Sequence, residues 1–455
     1  MFLEIFSDLE KVVTLHGETD GYCKMTKIAF KTLGCRLNLY ETDSLASQFK
    51  SNGYEIALSH EKADVYIVNT CTVTNQSDQK CRQAISQLRR NNPEALIVVT
   101  GCMVNNHKDD LLRSKTADYI IDNERKAAIF DIIDTHFRTG QSDPEGYDKD
   151  LFSYKTAFDT FHTRSLIKIQ DGCNNFCSYC VIPMVRGRST SRPATDILTN
   201  IKEVLDHGFK EIVLTGVNMG RYNYEGIGFE QLIEQIIRLD YDFRLRISSI
   251  EPDLFSDAFA DLFTSPKMAP HMHICLQSGC DETLRRMHRH YSTEQFAHLC
   301  EQLRRIDPLF NITTDMIVGF PGETDEEFKQ SCDFAKEIGF SHIHTFRYSV
   351  RSGTLAEKMP DQIPEKKKVE RSEVLRKISR DNKLNYYKAM LDKTETMLIE
   401  RFDRQGRATG YGEHYTPIII EGKNTERNTF RHVKLGRIID NKNEEKIIVQ
   451  AITID

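Results

Sequence analysis

The sequence predicts an α/β protein of three parts: an N-terminal doubly wound parallel α/β domain, a central (β/α)6 partial barrel and a small C-terminal antiparallel β-barrel. Two blocks of alternating strand and helix patterns predict the first two parts, because parallel strands need helical crossovers. Short alternating runs punctuated by glycines predict the third part. The length of 455 residues leaves room for two or three domains.

The first block covers residues 26–139 and follows an N-terminal extension, residues 1–25, to which no role is assigned. Its predicted strands are Lys27–Thr32, Asp64–Asn69, Ala95–Thr100 and the weaker Asp118–Ile121. Its predicted helices lie near Glu41–Ser51, Asn75–Arg90 and Glu124–Phe137. Strands and helices that alternate at this spacing predict a parallel sheet with helices on both faces.

The second block covers residues 165–389 and follows a polar, irregular linker at residues 140–164. Its predicted strands are Ser165–Gln170, Glu211–Thr215, Arg244–Ser249, His271–Leu276, Ile312–Val318 and Ser341–Tyr348. The helices predicted between them are Thr195–His207, Phe229–Leu239, Leu254–Phe263, Thr293–Ile306 and Asp325–Ile338. Six such units are too few for a closed eight-unit barrel, so the sequence predicts a partial one.

A segment rich in lysine and arginine, residues 364–390, ends this block and is predicted to be a helix. The last part, residues 390–455, has predicted strands at Glu395–Glu400, Thr416–Glu421 and Lys446–Ile452. Glycines between these runs are typical of the turns of a small, OB-like barrel.

Composition is typical of a soluble globular protein, with 39% apolar and 28% charged residues. The first twenty residues are acidic and show no signal-peptide pattern, so a cytoplasmic protein is expected. We expect no contact with a membrane, because no stretch approaches the ~18 apolar residues of a membrane span. In a reducing compartment, 12 cysteines favour metal binding or redox chemistry over disulfides. The net charge of −6 argues against a generally basic nucleic-acid binder, so any RNA contact must be local.

The most informative motif is the C-x3-C-x2-C spacing of Cys173, Cys177 and Cys180. Three thiolates cannot complete a tetrahedral zinc site without a fourth ligand, but they can hold three corners of a cubane iron–sulfur cluster. The fourth iron of such a cluster stays open to a small molecule. A structural zinc site with a distant fourth ligand remains the alternative. The motif follows the first barrel strand, which places it at the mouth of the barrel.

Three further cysteines, Cys35, Cys71 and Cys102, each lie just past a predicted strand of the N-terminal sheet. Ligand sites of parallel sheets lie at this edge, so the three thiols are expected to converge on a second cluster. A cysteine near a strand is otherwise most often a small buried hydrophobe. That interpretation is assigned to six others, namely Cys23, Cys81, Cys275, Cys280, Cys300 and Cys332.

These residues together resemble the radical S-adenosylmethionine (SAM) superfamily and, within it, the methylthiotransferases. The C-x3-C-x2-C motif is specific to the superfamily, and the GC, NTC and GC contexts of the upstream cysteines are specific to the methylthiotransferases. The runs Leu166–Cys177 and Leu214–Tyr222 are most similar to the threonylcarbamoyladenosine tRNA methylthiotransferases. The resemblance spans roughly residues 26–455 and implies that the C-terminal barrel is a TRAM domain.

The resemblance implies two [4Fe–4S] clusters and SAM as cofactors. Cys173, Cys177 and Cys180 would hold the catalytic cluster that cleaves SAM, and the upstream trio would hold an auxiliary cluster that presents sulfur. The implied reaction converts N6-threonylcarbamoyladenosine, at tRNA position 37 next to the anticodon, into its 2-methylthio form. The SAM contacts expected from their place at strand ends are Gly216, Asn218, Glu251, Gln277 and Gly319, with Glu251 facing the SAM ammonium group.

The implied partners are a tRNA anticodon stem-loop and a reductant such as flavodoxin or ferredoxin, and a monomer is expected. The residues expected to contact RNA are Lys366, Lys367, Lys368, Arg401, Arg404 and Arg407, with Tyr411 and His414 close by. Two alternative substrates are N6-isopentenyladenosine in tRNA and an aspartate of a ribosomal protein. The alternative from another class is a non-catalytic, metal-stabilised RNA-binding protein.

Overall fold

A computed structural model describes residues 26–158, 162–253, 255–422, 425–441 and 446–454. The N-terminal extension, residues 1–25, lies outside the described residues, and so does Cys23. The described chain forms the α/β architecture that the sequence predicts: a doubly wound sheet, a partial barrel and a small closed β-barrel. None of the helices in these ranges is both long and apolar enough to cross a membrane.

The N-terminal part is a five-stranded parallel sheet in the order β2-β1-β3-β4-β5. Its strands are β1 (Lys27–Thr32), β2 (Glu55–Ala57), β3 (Val65–Thr70), β4 (Leu96–Gly101) and β5 (Tyr119–Ile121). Its helices are α1 (Arg36–Ser51), α2 (Asn75–Asn91), α3 (Cys102–Ser114) and α4 (Ile129–Thr139). The strand order reverses between β1 and β3, and such a switch point is where doubly wound sheets bind ligands.

Alternate residues of the buried strands supply two hydrophobic cores, one on each face of this sheet. Val65 and Ile67 pack with α1 and α4, whereas Val68 packs with α2 and α3. The sequence predicted neither β2 nor α3. β2 has only 3 residues, and a kink at His107 interrupts the helical pattern of α3.

The central part is a partial barrel made of two parallel sheets, β6-β9-β12 and β13-β14-β15-β16, which meet where β12 leads into β13. Its strands are β6 (Ser165–Lys168), β7 (Gln170–Asp171), β8 (Thr190–Ser191), β9 (Glu211–Thr215), β10 (Asn223–Tyr224), β11 (Ile227–Gly228), β12 (Arg244–Ile247), β13 (Ser249–Ile250), β14 (His271–Ile274), β15 (Asn311–Val318) and β16 (His342–Arg347). The short pairs β7–β8 and β10–β11 are antiparallel and lie outside the barrel wall.

Seven helices accompany these strands within the described ranges. They are α5 (Ile182–Val185), α6 (Ala194–Asp206), α7 (Phe229–Ile237), α8 (Asp281–Arg286), α9 (Thr293–Ile306), α10 (Asp325–Ile338) and α11 (Glu365–Met390). The prediction of an α-helix at Leu254–Phe263 is wrong. Leu254 lies outside the described residues, and the described part of this segment ends in a 3-10 helix at Phe259–Thr264. The spacing of Phe255, Phe259 and Phe263 in the sequence suggested a helix. In the structure all three pack on the core, where the rings of Phe255 and Phe259 stack with their centroids 3.9 Å apart.

The C-terminal part is a closed barrel in the order β17-β18-β19-β21-β20. Its strands are β17 (Thr394–Phe402), β18 (Ala408–Tyr411), β19 (Pro417–Ile420), β20 (Phe430–Asn441) and β21 (Lys446–Thr453). The neighbours β19 and β21 are parallel and close the barrel, and the other pairs are antiparallel. The fully buried Met397, Ile399, Val433 and Val449 fill its interior.

This small barrel covers the amino-terminal ends of the partial-barrel strands. Asn311, the first residue of β15, donates to the His414 carbonyl at 2.5 Å, and His271, the first residue of β14, stacks on Tyr415 with centroids 4.5 Å apart. The Tyr415 hydroxyl also accepts from Arg36 of the N-terminal part at 3.2 Å. All three parts therefore meet around Tyr415, at the end of the barrel opposite to the carboxyl ends of its strands.

Candidate functional site

Cys173, Cys177 and Cys180 lie in the loop after β7, at the carboxyl edge of the partial barrel. Two backbone N–H groups next to these cysteines donate to their sulfur atoms. The Asn175 N–H lies 3.4 Å from the Cys173 sulfur, and the Ile182 N–H lies 3.4 Å from the Cys180 sulfur. Burial raises the pKa of Cys180 to about 12. A buried thiol of this kind ionises when it binds a metal, and N–H donors then stabilise the thiolate.

Two side chains from other barrel loops reach the same sulfurs. The Asn218 amide nitrogen lies 3.8 Å from the Cys173 sulfur, and Arg289 donates to the Cys177 sulfur at 3.2 Å. Arg289 also donates to Glu251 at 3.1 Å. The Asn218 Oδ1 and Arg289 Nη2 atoms are buried and have no hydrogen-bond partner among the described residues. Buried polar atoms are rarely left unpaired, so these two indicate room for a polar ligand.

The Glu251 carboxylate accepts from the Asn175 side chain as well as from Arg289. Burial raises the pKa of the Glu251 carboxyl, although the Arg289 guanidinium opposes this effect. Asn175 also lines a polar cleft of about 980 Å³ that opens beside the cysteine loop and includes Arg221 and Asp253. A ligand with a cationic group would find this carboxylate next to the cysteine sulfurs.

The other expected SAM contacts also lie at or just beyond the carboxyl ends of the barrel strands. A Cβ atom on Gly216 would lie 3.1 Å from the Gln170 carbonyl, so the backbone passes close to β7 there. Gln277 has a positive φ of 67°. Its N–H donates to the Asp315 carbonyl, and its carbonyl accepts from the Ile317 N–H, so its backbone forms two hydrogen bonds with β15. The Gly319 N–H donates to Glu323 at 2.6 Å, inside a tight turn with φ 72°.

Cys35, Cys71 and Cys102 follow β1, β3 and β4 and converge on the switch point of the N-terminal sheet. A Cβ atom on Gly34 would lie only 3.4 Å from the Cys71 sulfur, which shows how closely the first two loops approach. Burial raises the pKa of Cys71 to about 12, whereas the Cys35 side chain is exposed. The buried Cys81 thiol lies behind this trio and donates to the Cys71 carbonyl at 3.3 Å.

Neither cysteine trio of the described chain has its three sulfur atoms at the spacing of a single bound zinc ion. Among the described residues, sets of three His, Cys, Asp or Glu ligand atoms within 4.8 Å of one another occur at two other places and include neither trio. A zinc ion with its 2.3 Å sulfur bonds would hold three thiolates about 3.8 Å apart. At least one pair of sulfur atoms in each trio is therefore farther apart than a bound zinc ion would hold it.

A buried charged side chain links the two trios. Arg186, which follows the C-x3-C-x2-C loop, donates to the Cys102 sulfur at 3.2 Å and to Asn38 at 2.7 Å. Its guanidinium also forms ion pairs with Asp171 at 2.9 Å and with Glu41 at 3.1 Å. The arginine of one trio's loop thus contacts a sulfur of the other trio.

Two lysines complete this network. Lys126 pairs with Glu41 at 2.5 Å, and Lys168 pairs with Asp171 at 2.6 Å and with Glu41 at 3.2 Å. Burial opposes the ionisation of Glu41, but Arg186 and both lysines hold its pKa well below the usual value. Sequence reasoning assigned no role to these residues or to Arg289 and Asn175, because their contacts are made between distant segments.

The six residues expected to contact RNA differ in exposure. Lys366 is exposed, Lys367 pairs with Asp325 at 2.7 Å, and Lys368 is buried with its ammonium on the Tyr348 carbonyl at 3.1 Å.

In the C-terminal barrel, Arg401 and Arg404 are exposed, whereas Arg407 pairs with Asp403 at 2.7 Å. The nearby Tyr411 and His414 lie at the junction with the partial barrel. Arg164 lies over the Tyr411 ring at 5.0 Å, and His414 pairs with Asp307 at 2.7 Å.

Two family models match the chain. Residues 27–122 match the model described as uncharacterized protein family UPF0004, and residues 167–335 match the radical SAM superfamily. Among solved structures, the radical SAM methyltransferase TsrM from Kitasatospora setae matches with a TM-score of 0.51 at 16% identity, over 70% of this chain and 73% of that one. That likeness concerns the fold.

Curated relatives match over most of their length. The threonylcarbamoyladenosine tRNA methylthiotransferase MtaB of Thermotoga maritima is 37% identical over 86% of this chain and 90% of the relative. The protein of the same name from Bacillus subtilis is 36% identical over 88% of this chain and 91% of the relative. The tRNA-2-methylthio-N(6)-dimethylallyladenosine synthase of Syntrophus aciditrophicus is 33% identical over 86% and 88%.

Proposed function

Because the chain belongs to the radical SAM methylthiotransferase family, we propose that it adds a methylthio group to C2 of N6-threonylcarbamoyladenosine at position 37 of tRNA. The observation that carries this proposal is the pair of cysteine trios, which lie at two sheet edges and are bridged by the buried Arg186. The relatives with the highest identities among those described above bear the threonylcarbamoyladenosine name.

The cofactors are SAM and two [4Fe–4S] clusters. Cys173, Cys177 and Cys180 would hold the catalytic cluster, and the N-terminal trio would hold the auxiliary one. Together with SAM, these groups supply a carbon radical and a sulfur atom, which the reaction needs because no protein base can deprotonate the adenine C2–H. The chain's own residues hold the sulfurs, orient SAM and exclude water.

We assign the binding of the SAM ammonium group to Glu251. Its half-buried carboxylate and the Cys177 sulfur accept from the same Arg289 guanidinium, and a bound cation would offset the desolvation that raises the pKa of Glu251. Asn218 would face the same ligand with its unpaired Oδ1 atom. Gly216, Gln277 and Gly319 would shape the site through their backbone at the strand ends.

The anticodon stem-loop is the part of tRNA that we propose as the binding partner, because the modified base lies beside the anticodon. The exposed Lys366, Arg401 and Arg404 are the candidates for phosphate contacts, and Arg407 lies next to them in sequence. Lys367 and Lys368 would not contact RNA directly, but their positive charges on α11 would add to the electrostatic attraction of the phosphates. A few such contacts predict a modest, salt-sensitive grip on RNA.

We further propose a monomer that is reduced by a small protein such as flavodoxin or ferredoxin. Both trios belong to one chain, so catalysis needs no second copy. The catalytic loop exposes 43% of Phe176, and the Arg188 guanidinium covers its ring at 4.4 Å. An aromatic side chain with an exposed cation beside Cys177 is a suitable entry point for an electron from an acidic donor.

Nucleoside mass spectrometry of tRNA from cells that lack the gene tests this function. Loss of 2-methylthio-N6-threonylcarbamoyladenosine alone is the expected result. Loss of the methylthio-isopentenyl nucleoside would assign the chain to the other tRNA substrate, and an unchanged profile would point to a ribosomal protein. Anaerobically reconstituted protein should bind about eight irons and cleave SAM when reduced. One cluster without SAM cleavage would favour the non-catalytic alternative.

A further inference from the structure

The lumen of the partial barrel has a polar wall on β14, β15 and β16. Met272, Ile274, Ile312 and Ile343 of these strands pack into the core behind the wall. Side chains alternate between the two faces of a strand, so the intervening residues face the lumen. These are His273 on β14, Thr313 and Asp315 on β15, and His342 and His344 on β16. In register, Thr313 lies beside His342 and Asp315 lies beside His344.

One part of this wall is paired within itself. The His273 Nε2 atom lies 3.2 Å from Asp315, and the Nδ1 atom lies 3.0 Å from the Thr313 hydroxyl. The Asp315 carboxylate is therefore balanced by a histidine donor. The half-buried rings of His342 and His344 stand next to this pair with their centroids 4.3 Å apart. The wall therefore carries three imidazole rings and one carboxylate.

A lysine from α11 reaches this part of the wall. The helix lies along the free edge of β16, where the Ser379 hydroxyl accepts from the Ile343 N–H at 2.9 Å. Lys383 lies one helical turn later on the same side. Burial and, to a smaller extent, the Lys383 ammonium lower the pKa of both His342 and His344. Burial and the Arg380 guanidinium lower the pKa of Lys383. In the parts of the chain that the structure describes, no carboxylate pairs with this half-buried ammonium.

We propose that Lys383, assisted by His342 and His344, binds the carboxylate of the threonylcarbamoyl group of the substrate. This inference rests on the proposed function. The reacting C2 atom must face the cysteine trios at the carboxyl ends of the strands. The N6 substituent leaves the ring on another side and can extend along the lumen, where His342 begins β16. An isopentenyl group carries no charge and would leave the ammonium unpaired, so the site selects an acidic substituent.

The test compares two anticodon stem-loop oligonucleotides with the reconstituted holoenzyme. One carries N6-threonylcarbamoyladenosine, and the other carries the analogue in which a carboxamide replaces the threonyl carboxylate. Lys383→Met should weaken binding of the acid about 10- to 100-fold, because a charge-assisted hydrogen bond is lost. The same variant should leave binding of the amide unchanged. Lys377→Met, an exposed lysine on the same helix, is the matched control and should change neither.

Lys383→Arg should retain the preference for the acid, because the cation is kept. Thermal unfolding of Lys383→Met should be unchanged or shifted upward, since the substitution removes an unpaired, half-buried charge. An equal loss on both oligonucleotides, or no preference of the wild type for the acid, would overturn the proposal. This inference alone is overturned if the wild type modifies the oligonucleotide with the threonylcarbamoyl group but Lys383→Met binds it as tightly as Lys377→Met does. Wild type that modifies only isopentenyladenosine overturns the proposed function and this inference with it.

Discussion

Replacing Arg186 by methionine tests whether the two halves of the site depend on one buried guanidinium. The side chain is 5% exposed and binds Cys102 and Asn38 on one side and Asp171 on the other. Methionine keeps the length and apolar stem of the side chain but removes the charge and every N–H donor. The substitution therefore isolates the electrostatic part of the contact from its packing.

The size of the loss follows from what remains in the network. Removing one partner of a buried ion pair typically costs about 3–5 kcal/mol, because a charge stays buried without its counterion. Here Lys126 still pairs with Glu41 and Lys168 still pairs with Asp171. Neither carboxylate is left without a cation, so the loss comes from the buried acceptors that Arg186 satisfied, such as the Asn38 amide oxygen, and we expect about 1–3 kcal/mol.

Denaturant unfolding of the cluster-free, reduced protein measures this loss without any contribution from iron. Arg188→Met is the matched control, because this arginine lies on the same loop and is exposed. Its contact with the Phe176 ring is worth about 0.5–1 kcal/mol at an exposed site. Equal losses in the two variants, or a loss below about 1 kcal/mol for Arg186→Met, would refute the argument that the buried network joins the two parts.

Three further substitutions test the site and the fold. Cys71→Ser should reduce reconstituted iron from about eight to about four per chain, measured by colorimetric assay, whereas Cys81→Ser should keep both clusters. Burial lowers the pKa of His414, but two bonded carboxylates raise it to about 10. Its stabilising contribution is thus complete below about pH 6.5 and is lost as the pH rises towards 10, so His414→Gln should flatten the alkaline fall in melting temperature. Gly101→Ala should lower the melting temperature more than Gly53→Ala, because only the first Cβ meets a backbone carbonyl, at 2.3 Å.

The buried strands could be predicted from the sequence because their signal is local. The run Lys27–Thr32 is the strand β1, and Glu211–Thr215 is the strand β9, with the bounds that the apolar pattern indicates. β2 could not be found in this way, since a three-residue edge strand exists only through its pairing with β1. The phenylalanines between Leu254 and Phe263 have helical spacing, yet they stack as a short 3-10 turn on the core.

The cysteines were accessible from sequence because motif spacing and the strand-end rule are both local. Their hydrogen-bond partners were not, because Arg186 and Arg289 reach sulfurs of segments far away in the chain. The lysines of α11 differ in exposure, which composition does not reveal. Lys368 is buried, and its aliphatic stem packs against the backbone of Gly319. The contact is so close that a Cβ atom on Gly319 would lie 2.4 Å from the Lys368 side chain.

The charge balance of the buried network bears on the state of the N-terminal cysteines. Arg186, Lys126 and Lys168 carry three positive charges, whereas Glu41 and Asp171 carry two negative ones. A buried network of this kind is stable when its charges are compensated. The remaining contact of the Arg186 guanidinium is the Cys102 sulfur at 3.2 Å, so a thiolate there supplies the missing negative charge. Metal binding converts a cysteine thiol into a thiolate, which carries such a charge. The protein surroundings of this trio are therefore matched to a metal-bound sulfur rather than to a free thiol.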